Sequence, residues 1–268
     1  LSSRELLQWL TQDEFHVLFA PFQLIHAVTY VLGQMATDDK RQILTLGEMS
    51  VTGRLVDASN ATLFATATYG GEEVACIYKP VAGERPLWDF PDGTLADREY
   101  AAFRVSEFLG LDLVPLTILR EGPYGIGMVQ QWIDIDESID LAGYFSQDLP
   151  QLRSMAFFDA IINNTDRKIG HLLPDEAGHL YGCDHGVTFH EEDKLRTVLW
   201  QWAGDELSSA EVKSLETLRD SLGKEFDLTE HLTEVEIEAL HDRVVRLLEN
   251  GVMPLPNPEW PAIPWPAF

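Results

Sequence analysis

The sequence predicts an α+β chain: an antiparallel five-stranded sheet carrying one helix, a mostly helical half after it, and extra helices ahead of it. Three observations lead there. From Gly47 the apolar residues Met49, Val51, Gly53 and Leu55 alternate with polar neighbours, the period of a half-buried strand. Beyond Trp132 the pattern turns helical and acidic. Inside that helical half one short apolar hairpin stands out, Leu172-Leu173, the turn Pro174-Asp175-Glu176-Ala177-Gly178, then Leu180 to Cys183.

Each element has a local reason. Leu6, Leu7 and Leu10 recur at helical spacing, so residues 1–46 read as helix, with Thr37-Asp38-Asp39 ending a second apolar run. The first strand is followed by a turn at Asp57-Ala58-Ser59-Asn60, a second strand from Thr62 to Tyr69 and a third from Val74 to Pro80, Gly70-Gly71 lying between them. Thr94 and Asp97 have the spacing of a capping box for a helix that Gly110 stops. Strands over Val114–Arg120 and Ile126–Ile133 flank the turn Glu121 to Gly125 and complete the sheet, and a hinge is expected near Gln130 to Asp134. Pro150 opens a helix whose Leu152, Met155, Phe158 and Ile161 are spaced for burial. Further helices are predicted over Thr197–Trp202, Ser208–Leu222 and from the Thr233/Glu236 capping box to Gly251. The tail beyond holds six prolines and cannot be helix, so it is expected to lie extended with Trp260 and Trp265 packed on the helical half, or to dock a partner.

Composition bounds the function. With 44 acidic against 19 basic residues the net charge is -25, and no basic patch stands against it, so nucleic acid is excluded as a partner. Cys76 and Cys183 fall in separate strands and imply no disulfide framework, which suits a reducing cytoplasm. Phe15 to Thr37 lacks Asp, Glu, Lys and Arg, yet Pro21, two histidines and two glutamines make it a poor membrane span.

The chemistry concentrates between Asn163 and Phe189. Asp166 and Asp184 sit at the two ends of the hairpin, so folding the hairpin brings the two carboxylates together. Such a pair suits phosphoryl transfer, one acid orienting the attacking group and the other holding a metal on nucleotide phosphates. In the third strand Ala75, Ile77 and Lys79 share a face, an apolar floor ending in a cation; the competing reading is an edge lysine that reaches water. Glu99 lies on the apolar stripe of its helix with Ala102, Phe103 and Ser106, and a carboxylate there needs a partner such as Lys79, unless it sits at the stripe's edge. The turn between the first two strands would then offer backbone N–H groups to phosphates.

A strand Lys, a helix Glu, a hinge, an Asp loop, a hairpin and a second Asp together resemble the bilobal protein-kinase-like fold. The segments Ile77-Tyr78-Lys79-Pro80, Asn164-Thr165-Asp166-Arg167 and Cys183-Asp184-His185-Gly186 look like the phosphatidylinositol 3-/4-kinase superfamily, the type II phosphatidylinositol 4-kinases and a related actinobacterial family above all. The likeness covers roughly residues 47 to 250. It implies an N-lobe over 47–132 and a C-lobe over 133–251, while the helical extension over 1–46 and the proline-rich tail over 252–268 lie outside it. It implies ATP as cofactor, with Lys79 on its phosphates, Glu99 orienting Lys79, and Ile77, Ser59, Asn60, Gln130 and Trp132 around the nucleotide. Asp166 would be the catalytic Asp with Arg167 beside it in the loop, and Asp184 a metal ligand. His171 stands where the family has a metal-binding Asn, and His185 follows the metal Asp in place of Phe or Asn. Imidazole suits Mn²⁺ better than Mg²⁺, so His171 favours Mn. The acceptor is expected to be a small-molecule or protein hydroxyl. Competing readings are a nucleotide-binding pseudokinase or sensor, transfer of AMP on the same fold, and a transition-metal site drawn from His171, His179, His185, His190, Cys183 and Asp184.

Overall fold

The computed structural model describes residues 37–55 and 60–268. The helices expected over residues 1–36 and the turn residues 56–59, Ser59 among them, lie outside the described residues. Residues 37–46 form a helix, α1, so Thr37-Asp38-Asp39 lies at the start of a described helix. Strands β1 (Glu48–Arg54), β2 (Leu63–Tyr69), β3 (Glu72–Pro80), β4 (Thr117–Gly122) and β5 (Gly125–Gln131) make one antiparallel sheet in the order β1-β2-β3-β5-β4. β3 is central, which suits its alternation. Val74, Cys76 and Tyr78 are buried on one face, and Ala75, Ile77 and Lys79 occupy the other.

Helix α2 (Leu95–Phe108) contributes Ala101, Ala102, Phe103 and Val105 to the same core as Cys76, Tyr78 and Val129. Gly110 sits beyond its end at φ +63, the left-handed region where a glycine costs least. Its other end differs from expectation. The Thr94 hydroxyl donates to the Pro91 carbonyl instead of capping, Asp97 meets His231 Nδ1 at 2.9 Å, and the Glu84 carboxylate accepts from the N–H groups of Leu95 and Ala96 at 3.1 and 2.9 Å. A full carboxylate held over the first turn satisfies two free N–H groups at once, which one hydroxyl cannot match.

Strand β4 starts three residues later than predicted. Pro115 has no N–H to give a ladder, and pairing begins at Thr117↔Gln130. After a single helical turn α3 (Leu141–Tyr144), helix α4 (Pro150–Ile162) has Pro at its first position and buries Leu152, Met155, Phe158 and Ile161 completely. It ends at Asn163, φ +51, whose Nδ2 donates to the carbonyls of His190 and Glu192. Strands β6 (Leu172–Pro174) and β7 (Leu180–Gly182) form the expected hairpin. Helices α5 (Ser209–Ser221) and α6 (Glu234–Asn250) close the helical half, α6 with the Thr233/Glu236 capping box and Gly251 as its left-handed stop. Glu236 also pairs with Arg98, tying α6 to α2.

Two further expectations fail. Thr197–Trp202 is not helical, because its backbone pairs with the Asn164–Arg167 segment: Arg196 N donates to Asn164 O at 2.9 Å and Val198 N to Arg167 O at 3.2 Å. In the extended tail Trp260 packs against Lys194 and Arg196, whereas Trp265 is 94% exposed. Among the described residues no helix is long and apolar enough to cross a membrane.

Candidate functional site

Lys79 is the last residue but one of β3, and alternation turns it away from the core toward the groove between sheet and helical half. Its Nζ lies 2.6 Å from Glu99 Oε1 and 2.8 Å from Asp184 Oδ1. Glu99 is 2% exposed, and its Oε2 accepts from the His185 N–H at 2.9 Å. A buried carboxylate is tolerable because both oxygens are engaged. Burial alone would lower the Lys79 pKa, but the charges of Asp184 and Glu99 outweigh it and hold the ammonium charged. In return Lys79 pulls the Asp184 carboxyl well below the usual carboxylate range, against burial.

Asp184 follows β7 at φ +63, a conformation a non-glycine residue rarely holds, and one found at sites where geometry overrides local preference. Asp166 lies in the loop after α4. Its N–H donates to Asn164 Oδ1 at 3.0 Å and its Oδ2 stands 3.2 Å from Lys168 Nζ. Burial raises its pKa, with Lys168 opposing. An acid poised toward protonation is what a proton acceptor requires.

The neighbouring Arg167 is not where a catalytic group would be. It is fully buried, forks onto Asp159 through Nε at 3.0 Å and Nη2 at 2.9 Å, and donates to the Cys183 carbonyl at 3.1 Å. A guanidinium sealed in the interior cannot touch a substrate, so the expected catalytic role is corrected to one of positioning. It ties α4, the Asp166 loop and the end of β7 together. Asp159 also accepts from Asn164 Nδ2 at 2.9 Å, and sequence reasoning missed it. The signal was present: Asp159 lies four residues after Met155 on the apolar stripe of α4, the same argument that singled out Glu99.

His171 closes the single tight turn Ile169–His171. Its Nε2 stands 3.4 Å from Asp184 Oδ2, and burial drops its pKa to about 4, so the ring is neutral near pH 7. The other histidines go elsewhere. His179 Nε2 meets the Asp112 carbonyl at 2.6 Å, His185 is buried 2.7 Å from Arg167 Nη2, and His190 lies 3.1 Å from Lys194 Nζ. Burial pushes the Cys183 thiol up to about 12. Among the described residues no group of three or more His, Cys, Asp or Glu gathers as a metal cluster.

Two cavities meet at the Lys79–Asp184 pair. One, of about 280 Å³, is walled by Ile77, Gln130, Trp132, Ile135, His171 and Leu173. Gln130 is 5% exposed and its Nε2 donates to Thr117 Oγ1 at 2.9 Å, so its amide is already engaged. Trp132 is partly exposed at the rim, edge-on to Phe64. The other cavity, of about 290 Å³, contains Lys79, Asp184 and Asp166 in its lining, together with Asn60, Glu84 and Arg85. Lys79, Asp166 and Asp184, far apart in the chain, therefore border one space. Sequence reasoning did not find Glu84, Arg85 or Lys168, whose positions depend on loops that carry no periodicity.

No protein-family model matches the chain. Protein Rv2133c of Mycobacterium tuberculosis (strain ATCC 25618 / H37Rv) is 43% identical over 274 aligned positions, spanning 88% of this chain and 98% of that protein. Among solved structures, the Golgi casein kinase with Mn/ADP bound superposes with a TM-score of 0.51 at 12% identity, over 81% of this chain and 75% of that one. The Helicobacter pylori proinflammatory kinase CtkA gives 0.43 at 13% identity, over 78% and 94%. The fold is α+β and protein-kinase-like.

Proposed function

We propose, from the premise that this chain belongs to the family of the Mycobacterium tuberculosis Protein Rv2133c, that it is an ATP-dependent, metal-dependent phosphotransferase acting on a small-molecule or protein hydroxyl. The observation that carries the reading is the convergence of Lys79, Asp184 and Asp166 on one cavity, with Glu99 buried behind Lys79. The apolar cleft over Ile77, rimmed by Trp132, has the shape and surface to take a base. Gln130 forms its back wall, and Asn60 borders the phosphate path.

In this reading Lys79 draws the phosphates toward the crevice and Glu99 fixes its ammonium. Asp166 receives the proton of the attacking hydroxyl, the role its raised pKa suits. Asp184 and His171 offer one carboxylate and one imidazole on the same side of the crevice. That donor pair fits a divalent ion completed by phosphate oxygens and water, Mn²⁺ before Mg²⁺. When bound, the ion would neutralise charge developing on the phosphates. Arg167 and Asp159 hold the loop that aims Asp166.

The finer kinship with the phosphatidylinositol 3-/4-kinase superfamily rests on the three short motifs around Lys79, Asp166 and Asp184. The division into N-lobe, C-lobe and tail, and a cytoplasmic setting, belong to the same reading. So does partner docking through the tail, where Trp265 stands exposed. The test is an assay with ATP labelled at the γ and, in parallel, the α phosphate, on wild type, Asp166→Ala and Asp184→Ala. Transfer of the γ label with losses of about a hundredfold or more in both variants is expected. Full activity in Asp166→Ala would overturn the assignment, and transfer of the α label would replace phosphate by AMP.

A further inference from the structure

The cavity that holds Asp166 has an uneven charge balance. Its lining carries four carboxylates, Glu84, Glu99, Asp166 and Asp184, and two cations, Lys79 and Arg85. Each carboxylate is already answered within the protein. Glu84 caps α2, Glu99 and Asp184 share Lys79, and Asp166 pairs with Lys168. Lys79 is spent twice over. Among the described residues the Arg85 guanidinium has no hydrogen-bond or ion-pair partner, although an arginine presents five donors.

The backbone under Arg85 is fixed with some care. Its N–H donates to Asn60 Oδ1 at 2.9 Å, and two residues earlier the Gly83 carbonyl accepts from Ala61 N at 3.1 Å. The approach is so close that a Cβ on Gly83 would stand 2.4 Å from the Ala61 Cβ, which no other residue type could tolerate without the chain moving. Arg85 is thus carried on a segment latched to the end of the β1–β2 connection, on the Asp166 side of the Lys79–Asp184 pair.

From this placement we infer that Arg85 is an anion-binding residue that takes the terminal phosphate of a nucleoside triphosphate, distinguishing it from the diphosphate. The inference rests on the phosphotransferase reading and refines it. A triphosphate lying from the Ile77 cleft past Lys79 delivers its last phosphate to the cavity of Asp166, where four carboxylates would repel it. An uncommitted guanidinium offers two parallel N–H groups to phosphate oxygens, a geometry that lysine cannot reproduce.

The experiment is titration calorimetry of the full chain with ATP and with ADP, each with Mn²⁺, on wild type, Arg85→Ala and Arg85→Lys. Arg85→Ala should weaken ATP binding about tenfold or more and leave ADP binding within about twofold, with Arg85→Lys between. Because the side chain is exposed, the melting temperature of the unliganded variants should not move. Equal weakening of both nucleotides, or of neither, overturns the inference while leaving the phosphotransferase reading standing. Failure of the wild type to bind either nucleotide ends that reading, and this inference with it.

Discussion

Lys79 Nζ and Asp184 Oδ1 lie 2.8 Å apart although 105 residues separate them in the chain. That contact spans the groove between the sheet and the helical half, and it sets the ionisation of both partners. Since the folded-state pKa of Asp184 is depressed, its contribution to stability is present above the ordinary carboxyl value and is lost only as pH falls through the lower folded value. A carboxyl-carbon NMR titration of the nucleotide-free protein should place the Asp184 midpoint well below 3.8, and Lys79→Met should move it back up. An ordinary midpoint in the wild type would mean the pair does not persist in solution.

The Arg167–Asp159 pair makes a prediction of a different kind, about stability before chemistry. Both side chains are 0% exposed, so removing one leaves a charge stranded in the interior. Asp159→Ala or Arg167→Ala should each cost about 3–5 kcal/mol in chemical denaturation. The double replacement Asp159→Leu with Arg167→Met should recover much of that, because two apolar groups strand no charge. A cost under about 1 kcal/mol for Arg167→Ala would show that the guanidinium reaches water.

How much of this was legible depends on whether a position obeys a local rule. The inward face of β3 follows from alternation alone, which is why Ile77 and Lys79 could be placed before any coordinates. Pro150 and Gly251 mark helix ends by backbone restrictions that act within one residue. The segment from Thr197 to Trp202 misleads for the opposite reason. Val198, Leu199 and Trp202 are buried as a helical stripe would be, but the backbone is claimed by Asn164 and Arg167, more than thirty positions earlier. Arg167 misleads likewise, because its place in a motif says nothing of the direction its side chain takes. Glu84 was invisible since its partners, the first N–H groups of α2, are brought near by a loop without pattern.

The cap on α2 can be assigned by a pair of single substitutions. Glu84→Ala removes the acceptor for Leu95 N and Ala96 N and should cost about 1 kcal/mol of stability, since both donors lose their partner. Thr94→Ala removes only a hydroxyl bonded to Pro91, and should cost about half as much or less. Because Glu99 rides on α2, the first change should also loosen nucleotide binding while the second leaves it intact. The reverse ranking in urea denaturation would restore the capping box that the sequence suggested.

His171 ties a pH effect to a metal preference. Burial lowers its folded-state pKa to about 4 from an ordinary value of 6.5, so protonation favours the unfolded chain. The stabilisation tied to the neutral ring is fully present above pH 6.5 and drains away as pH falls from 6.5 toward 4. His171→Gln should flatten that part of the stability profile, measured by denaturant midpoints across the same range. The neutral ring 3.4 Å from Asp184 is also a nitrogen donor where an oxygen donor would serve Mg²⁺ better. Initial rates at matched free metal should therefore favour Mn²⁺ over Mg²⁺ in the wild type, and His171→Asn should narrow the gap by restoring an amide oxygen. Equal wild-type rates with the two ions at saturation would remove His171 from the metal site and leave it as a neighbour of Asp184 alone.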